Sequence, residues 1–380
     1  MVMPLAGRLV AAVAGALLVL TAWATMIGTV MVPRPVTSWL TRWVDTSVVG
    51  AFRLAADSIA DDQRRDRVLA AQASTILLGQ LVAWLAIFCS GYALLLWPFD
   101  HSGITSAFTS SGSSMFTLGF ELPSGAGPAV IVFIAAATGL VAVALQIAYL
   151  PVLYAAFNRR ETEVALLNAR AGVPSWGPEL LARTHYALGS GVSTIDTLPD
   201  LFAQWERWAA DVAESHTTYL PLVRFRSPRP LSSWVTALLA VLDSAALILS
   251  LSPGAAPVVP ARLCLRSGFL CLSQIAQAMG LDVPGQLNPT GRPAPAGEIS
   301  LTYQDFLDAI TRLRKVGFPI EREPAEAWVD FAGWRVNYEQ AAYAVAYAVD
   351  AVPALWSGPR RRPVHPIDPI RPPLGRPPAK

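Results

Sequence analysis

The sequence predicts an all-α membrane protein: three transmembrane helices with a short re-entrant helix and loop, followed by a helical cytosolic domain. Three observations lead there. Apolar residues make up 53% and charged residues only 15% of the 380, a balance too apolar for an ordinary soluble chain of this size. Uncharged runs long enough to cross a bilayer, which takes roughly 20 residues, occur three times before residue 160. No alternating strand pattern of useful length is present, whereas beyond residue 158 charges return at helical spacing.

The first run, Leu9 to Val32, carries no charge. Ala22-Trp23-Ala24 resembles the small-residue cleavage site of a secretory leader, but the apolar run continues past it to Val32 and only Arg8 supplies an N-terminal charge. Arginine placement favours a retained span. The connection from Pro33 to Leu69 holds Arg34, Arg42, Arg53, Arg64, Arg65 and Arg67, the third run is followed at once by Arg159 and Arg160, and Phe99 to Gly127 has neither Lys nor Arg. By the positive-inside rule both basic segments are cytoplasmic and the 99–127 loop faces outward. The expected location is the plasma (inner) membrane, multi-pass, with the C-terminal domain in the cytoplasm. Within the connection, Trp39, Leu40, Trp43, Val44, Val48 and Phe52 recur at helical spacing. They suit either an interfacial helix in the headgroup zone or an amphipathic helix packed on the cytosolic domain.

The second run spans Ala70 to Trp97 and the third Pro128 to Phe157. Between them stands Ser113-Ser114-Met115-Phe116-Thr117-Leu118-Gly119-Phe120-Glu121. A dehydrated cation needs a ring of backbone carbonyls in place of its water, and a glycine lets the chain turn its carbonyls toward an axis. Irregular backbone at membrane depth is tolerated only where it lines such a cavity. Thr117, Leu118, Gly119, Phe120 and Glu121 are therefore the candidate ion filter. The same residues also suit an extracellular turn between two helices, because Ser, Thr and Gly are common in turns.

A span, a re-entrant loop with a Thr-x-Gly-[Tyr/Phe] core and a further span resemble the potassium-channel-like pore-loop cation channel family, of the bacterial type with two helices per pore domain. The resemblance covers residues 70 to 160. It implies a pore helix over Ile104 to Phe116, whose C-terminal dipole favours a cation, and an inner helix in the third run. Gly139 and Pro151 are gating-hinge candidates on that helix; Gly139 equally suits a close packing contact. Glu121 and Leu122 stand where potassium-selective members carry a second glycine followed by Asp. The family assembles as homotetramers, since one loop cannot enclose an axis. The implied partners are membrane lipid and permeating cations such as potassium, with no other metal, no cofactor and no nucleic acid. The resulting organisation is a first transmembrane helix at 1–32, a cytoplasmic connection at 33–69, a pore domain at 70–160, a helical cytosolic domain at 161–357 and a tail at 358–380.

In the cytosolic half, Trp205, Trp208, Trp328, Trp334 and Tyr338 are interleaved with acids and arginines, as in a compact helical domain. Leu231 to Ser252 is apolar enough to span but holds Asp243 in its middle, where insertion costs about 2.5 to 3.5 kcal/mol. It reads as a buried helix in a hairpin with Ala261 to Met279, with a fourth span as the alternative. Cys264 and Cys271 are too far apart to bridge within one helix, and with Cys89 they read as packing residues. Gly189-Ser190-Gly191 is too short for a dinucleotide or phosphate loop, and His185 and His216 read as surface or core histidines, so no enzyme is expected. Eight prolines and six Lys or Arg in the last 22 residues suit a disordered or polyproline tail. The competing function is a non-conducting membrane sensor or scaffold that retains a degenerate pore fold and acts through its cytosolic domain.

Overall fold

The computed structural model describes residues 5–32, 38–100, 102–121, 123–185, 194–283 and 299–358. Leu122, Gly189-Ser190-Gly191 and the tail from Pro359 onward lie outside the described residues. In chain order the helices are α1 (Leu5–Val30), α2 (Trp39–Asp57), α3 (Asp62–Leu69), α4 (Gln72–Leu96), α5 (Ile104–Met115), α6 (Ala126–Ala171), α7 (Gly177–His185), α8 (Leu198–Thr218), α9 (Pro221–Arg224), α10 (Trp234–Leu251), α11 (Val258–Ala278), α12 (Tyr303–Lys315), α13 (Pro324–Arg335) and α14 (Glu339–Ala348). Among the described residues there is no strand.

Among the described residues five helical stretches are long and apolar enough to cross a membrane: Ala6–Val30, Gln63–Phe99, Ala126–Ala171, Trp234–Leu251 and Val258–Ala278. Such a set fits a multi-pass membrane protein. Burial separates them. The apolar windows in α1, α4 and α6 are 22%, 33% and 28% buried, whereas that in α10 is 94% buried inside the protein itself.

The chain divides into two compact units, Met1–Ile59 with Val68–Ala155, and Ala60–Arg67 with Ala156–Lys380. In the first, α1 and α4 pack through small residues, as helices do where lipid removes the hydrophobic drive and close contact must supply attraction. A Cβ at Gly91 would meet Val19 Cγ2 at 2.8 Å and the carbonyl of Gly15 at 3.0 Å. The core gathers Ala22 and Met26 of α1, Leu40 of α2, Trp84, Phe88 and Tyr92 of α4, Met115 of α5, and Ala135 and Ala142 of α6. The helix α2 starts where Ser38 accepts the N–H of Thr41 at 3.1 Å, a side-chain cap for a helix end. One face of it then rests on α4, with Val44 Cγ1 3.1 Å from where a Cβ of Gly79 would stand.

In the second unit α10 forms the centre, with α7, α8, α11, α13 and α14 around it. The apolarity that makes Leu231 to Ser252 resemble a span is here the apolarity of a core helix. Its Asp243 is 1% exposed and accepts hydrogen bonds from Arg335 and from Tyr338 Oη at 2.8 Å. Arg335, fully buried, also donates to Glu339 Oε2 at 2.6 Å, Tyr343 Oη at 2.8 Å and the Trp356 carbonyl at 2.7 Å. A buried charge persists only with partners of this number and geometry. Burial opposes the charge on Arg335, but Asp243 foremost, then Tyr343, Tyr338 and Glu339, hold it well above the ordinary arginine value. Burial also pushes the Tyr343 hydroxyl up to about 12.

The third apolar run is expected to end at Phe157, before the arginines. Instead α6 continues unbroken to Ala171, with Pro151 inside it. Arginine is itself a good helix former, and the buried guanidinium of Arg160 is satisfied: it reaches Glu161 Oε1, His216 Nε2 at 3.0 Å, and the carbonyls of Leu222 and Phe225 at 2.8 and 2.7 Å. The rings of Phe157 and Trp234 lie 5.3 and 5.6 Å from it, within cation–π range.

Candidate functional site

The loop after α5 is organised by α5 itself. Ser111 Oγ donates to the Cys89 carbonyl at 2.8 Å, tying α5 to α4. Tyr92 of α4 and Thr138 of α6 share a hydrogen bond at 2.7 Å. Against this frame the chain turns at Thr117, whose φ of +55° is left-handed. The N–H of Thr117 donates to Ser114 O at 3.0 Å and that of Leu118 to Ser113 O at 2.8 Å. These are the paired bonds of a Schellman stop, which ordinarily places glycine where Thr117 stands. A β-branched residue there is an outlier, since a left-handed conformation costs an L-residue roughly 1–2 kcal/mol.

Ser113 then collects the following segment. Its carbonyl also accepts from Gly119 at 3.5 Å and its hydroxyl from the N–H of Phe120 at 3.2 Å. Gly119 has φ +70° and open space where a Cβ would stand, so its backbone angle, and not a neighbour, calls for glycine. Every N–H from Thr117 to Phe120 is thus turned onto α5. Among the described residues no donor reaches the carbonyls of Thr117, Leu118, Gly119 or Phe120, and the Thr117 hydroxyl donates to Phe116 O. Those four carbonyls are the atoms of this site fit to take a cation or water, and the C-terminal end of α5 adds the negative end of its dipole beside them. The side chains of Phe116, Leu118 and Phe120 are exposed.

Glu121 is half-buried, with Oε2 accepting a hydrogen bond from Ser110 Oγ. Its carboxylate therefore lies along α5. Ser110 and Ser113, three residues apart on one helical face, hold the two ends of the segment Phe120-Glu121. Ser113 opens the run singled out in the sequence, yet nothing in composition assigned it this task. The three-residue serine spacing on a short helix next to the loop was the available signal.

The two hinge candidates sit differently. At Gly139 a Cβ would overlap the carbonyl oxygen of Met115, the last residue of α5; the glycine lets α6 pass directly against the end of α5. Pro151 lies inside α6, which continues through it.

Several titratable groups of the second unit are paired. Burial pushes the Glu179 carboxyl up, but Arg312 at 2.7 Å and Arg183 at 2.7 Å outweigh it and leave the group below its usual value. His216 is fully buried, and burial first, then the Arg160 charge, hold it well below the ordinary histidine value. Since arginine only donates, His216 Nε2 accepts and the ring proton is on Nδ1, 3.0 Å from Ser215 Oγ. Cys264 and Cys271 are buried free thiols and Cys89 is a half-buried one. Among the described residues no group of three or more His, Cys, Asp or Glu is placed to hold a metal ion. Compared with protein-family models, with curated proteins and with solved structures, the chain matches none.

Proposed function

We propose that the chain is a subunit of a potassium-channel-like cation channel of the plasma membrane. In this reading α1, α4 and α6 cross the bilayer, α5 is the re-entrant pore helix, and the unit built from Ala156 onward is cytoplasmic. Four copies surround an axis, and α10 is a core helix. The observation that carries the reading is the polarity of the 117–120 backbone: its N–H groups are committed to α5 while its carbonyls take no donor among the described residues. That is the arrangement a ring of carbonyls needs to replace a cation's hydration shell. The left-handed Thr117 supports it, because strain of this kind persists where function requires a particular backbone.

Purified protein in planar bilayers under a potassium gradient should give unitary cation currents, and particles of four subunits should be counted in the same preparation. Fourfold particles without current would leave the assembly and remove conduction. One observation favours a second reading, a non-conducting membrane sensor or scaffold: the bonds from Thr117 and Leu118 also complete an ordinary helix stop. Monomers or dimers in nanodiscs, with no current, would establish that reading.

A further inference from the structure

The helix α2 presents two faces. Leu40, Val44 and Val49 are buried, with Val44 against Gly79 and Leu40 joined to the cluster of Met26 and Trp84. On the other side Trp39, Trp43 and Leu54 are 62%, 63% and 79% exposed. With Thr46 and Gly50, also exposed, they form a stripe at three- and four-residue spacing, one continuous helical face. Tryptophan pairs left in water are costly, since each ring offers a large apolar area.

We infer that this stripe is seated in the bilayer, at the boundary between headgroups and acyl chains of the leaflet nearest the start of α4. Depth supplies the argument. Gly79, against which Val44 packs, lies seven residues into α4, which at 1.5 Å per residue is about 10 Å from Gln72, along a helix that carries no charge. A helix pressed onto that part of a membrane-crossing neighbour has its opposite face among lipid. Tryptophan is the residue type enriched at that boundary. The lipid recognised is not specifically anionic. The charges of α2 are Arg42, Asp45, Arg53 and Asp57, two of each sign, so the attachment is apolar and independent of surface charge. The inference rests on α4 crossing the bilayer and is separate from conduction.

The test uses the full-length protein reconstituted into phosphatidylcholine vesicles whose acyl chains carry bromine, a contact quencher of indole fluorescence. The variant is Trp39→Phe with Trp43→Phe. Wild type should show extra quenching over the variant by the share expected for two of twelve tryptophans, unchanged when phosphatidylglycerol is added or salt is raised. Equal fractional quenching in both proteins, or quenching that appears only with the anionic lipid, would overturn the inference. A second measurement does not depend on the tryptophans: with Cys89, Cys264 and Cys271 replaced by Ala, a nitroxide attached at Thr46→Cys should be reached by oxygen and shielded from a water-soluble relaxant. Disulfide-linked pairs of that same variant under mild oxidant would assign the face to a second copy of the chain and overturn the lipid assignment.

Discussion

The carbonyl of Met115 occupies the space where Gly139 would carry a side chain. The contact joins the end of the short helix before the loop to the first third of α6, so whatever displaces one displaces the other.

Gly139→Ala should therefore destabilise the protein, by the roughly 1–3 kcal/mol typical of overpacking, read as a lower unfolding midpoint in detergent. Any current should fall in the same variant, because the overlap pushes on the residue two before Thr117. A midpoint equal to wild type, with only the opening rate altered, would identify the glycine as a hinge instead.

Glu121 and Ser110 should behave as one unit. Glu121→Gln and Ser110→Ala each remove the charge-assisted bond between loop and helix, a class worth about 1.5–3 kcal/mol. In a double-mutant cycle on unfolding the second substitution should add little to the first. Additive effects would show that the carboxylate stands free at the mouth, where it would instead raise local cation concentration.

Thr117→Gly relieves the left-handed strain and should raise stability by about 1 kcal/mol. If the threonine is retained for conduction, the same variant should lose cation discrimination, measured as a shift in reversal potential between potassium and sodium. A stabilised variant with unaltered discrimination would assign Thr117 to helix termination alone.

His216 gives the second unit a pH dependence of definite sign. Its folded value is below that of an unfolded histidine, near 6.5, so the unfolded chain binds a proton first as pH drops. This contribution to stability is complete above about pH 6.5 and is lost as pH falls toward the folded value. Protonation would also set a second cation against Arg160. His216→Gln, which can still accept from Arg160, should flatten the fall of the unfolding midpoint with pH below 6.5; an unchanged slope would place the titration elsewhere.

Arg335→Met leaves Asp243 and Glu339 buried without their shared partner. The expected loss is about 3–5 kcal/mol, enough to abolish folding of a marginal domain. Replacing Asp243 by Asn and Glu339 by Gln in that background should recover part of it.

Much of the helical frame was legible because apolar runs are long and charges abrupt: Leu9 to Val32 and Ala70 to Trp97 lie within one to four residues of α1 and α4 at each end. The end of α6 was not, since Arg159 and Arg160 read as a membrane boundary while the helical hydrogen bonds continue through them, Arg160 being met by groups 56 to 65 residues away. Asp243 announced that α10 was unusual, but its partner Arg335 is 92 residues distant, and no local pattern encodes that pairing. At the loop, Gly119 was legible from its residue type. The lie of Glu121 along α5 was not, because an acid two residues after a loop glycine reads equally as a mouth charge or a tether. Gly139 was singled out as a hinge candidate by its place in the third run; which neighbour it admits depends on how two helices cross.

The distance between Asp243 and Arg335 along the chain has a bearing on synthesis. A ribosome adding about 5–20 residues per second delivers Arg335 roughly 5–20 s after Asp243, and throughout that interval α10 is an uncharged apolar segment broken by one unpaired acid. The insertion machinery, which reads a segment by its hydropathy, meets α10 in this form and not in its folded setting. On the proposed topology its single acid is therefore the feature that biases the nascent helix away from the bilayer before α13 and α14 exist to enclose it, and Asp243→Leu should send a fraction of newly made chains into the membrane at this point, with everything after α10 delivered to the opposite side.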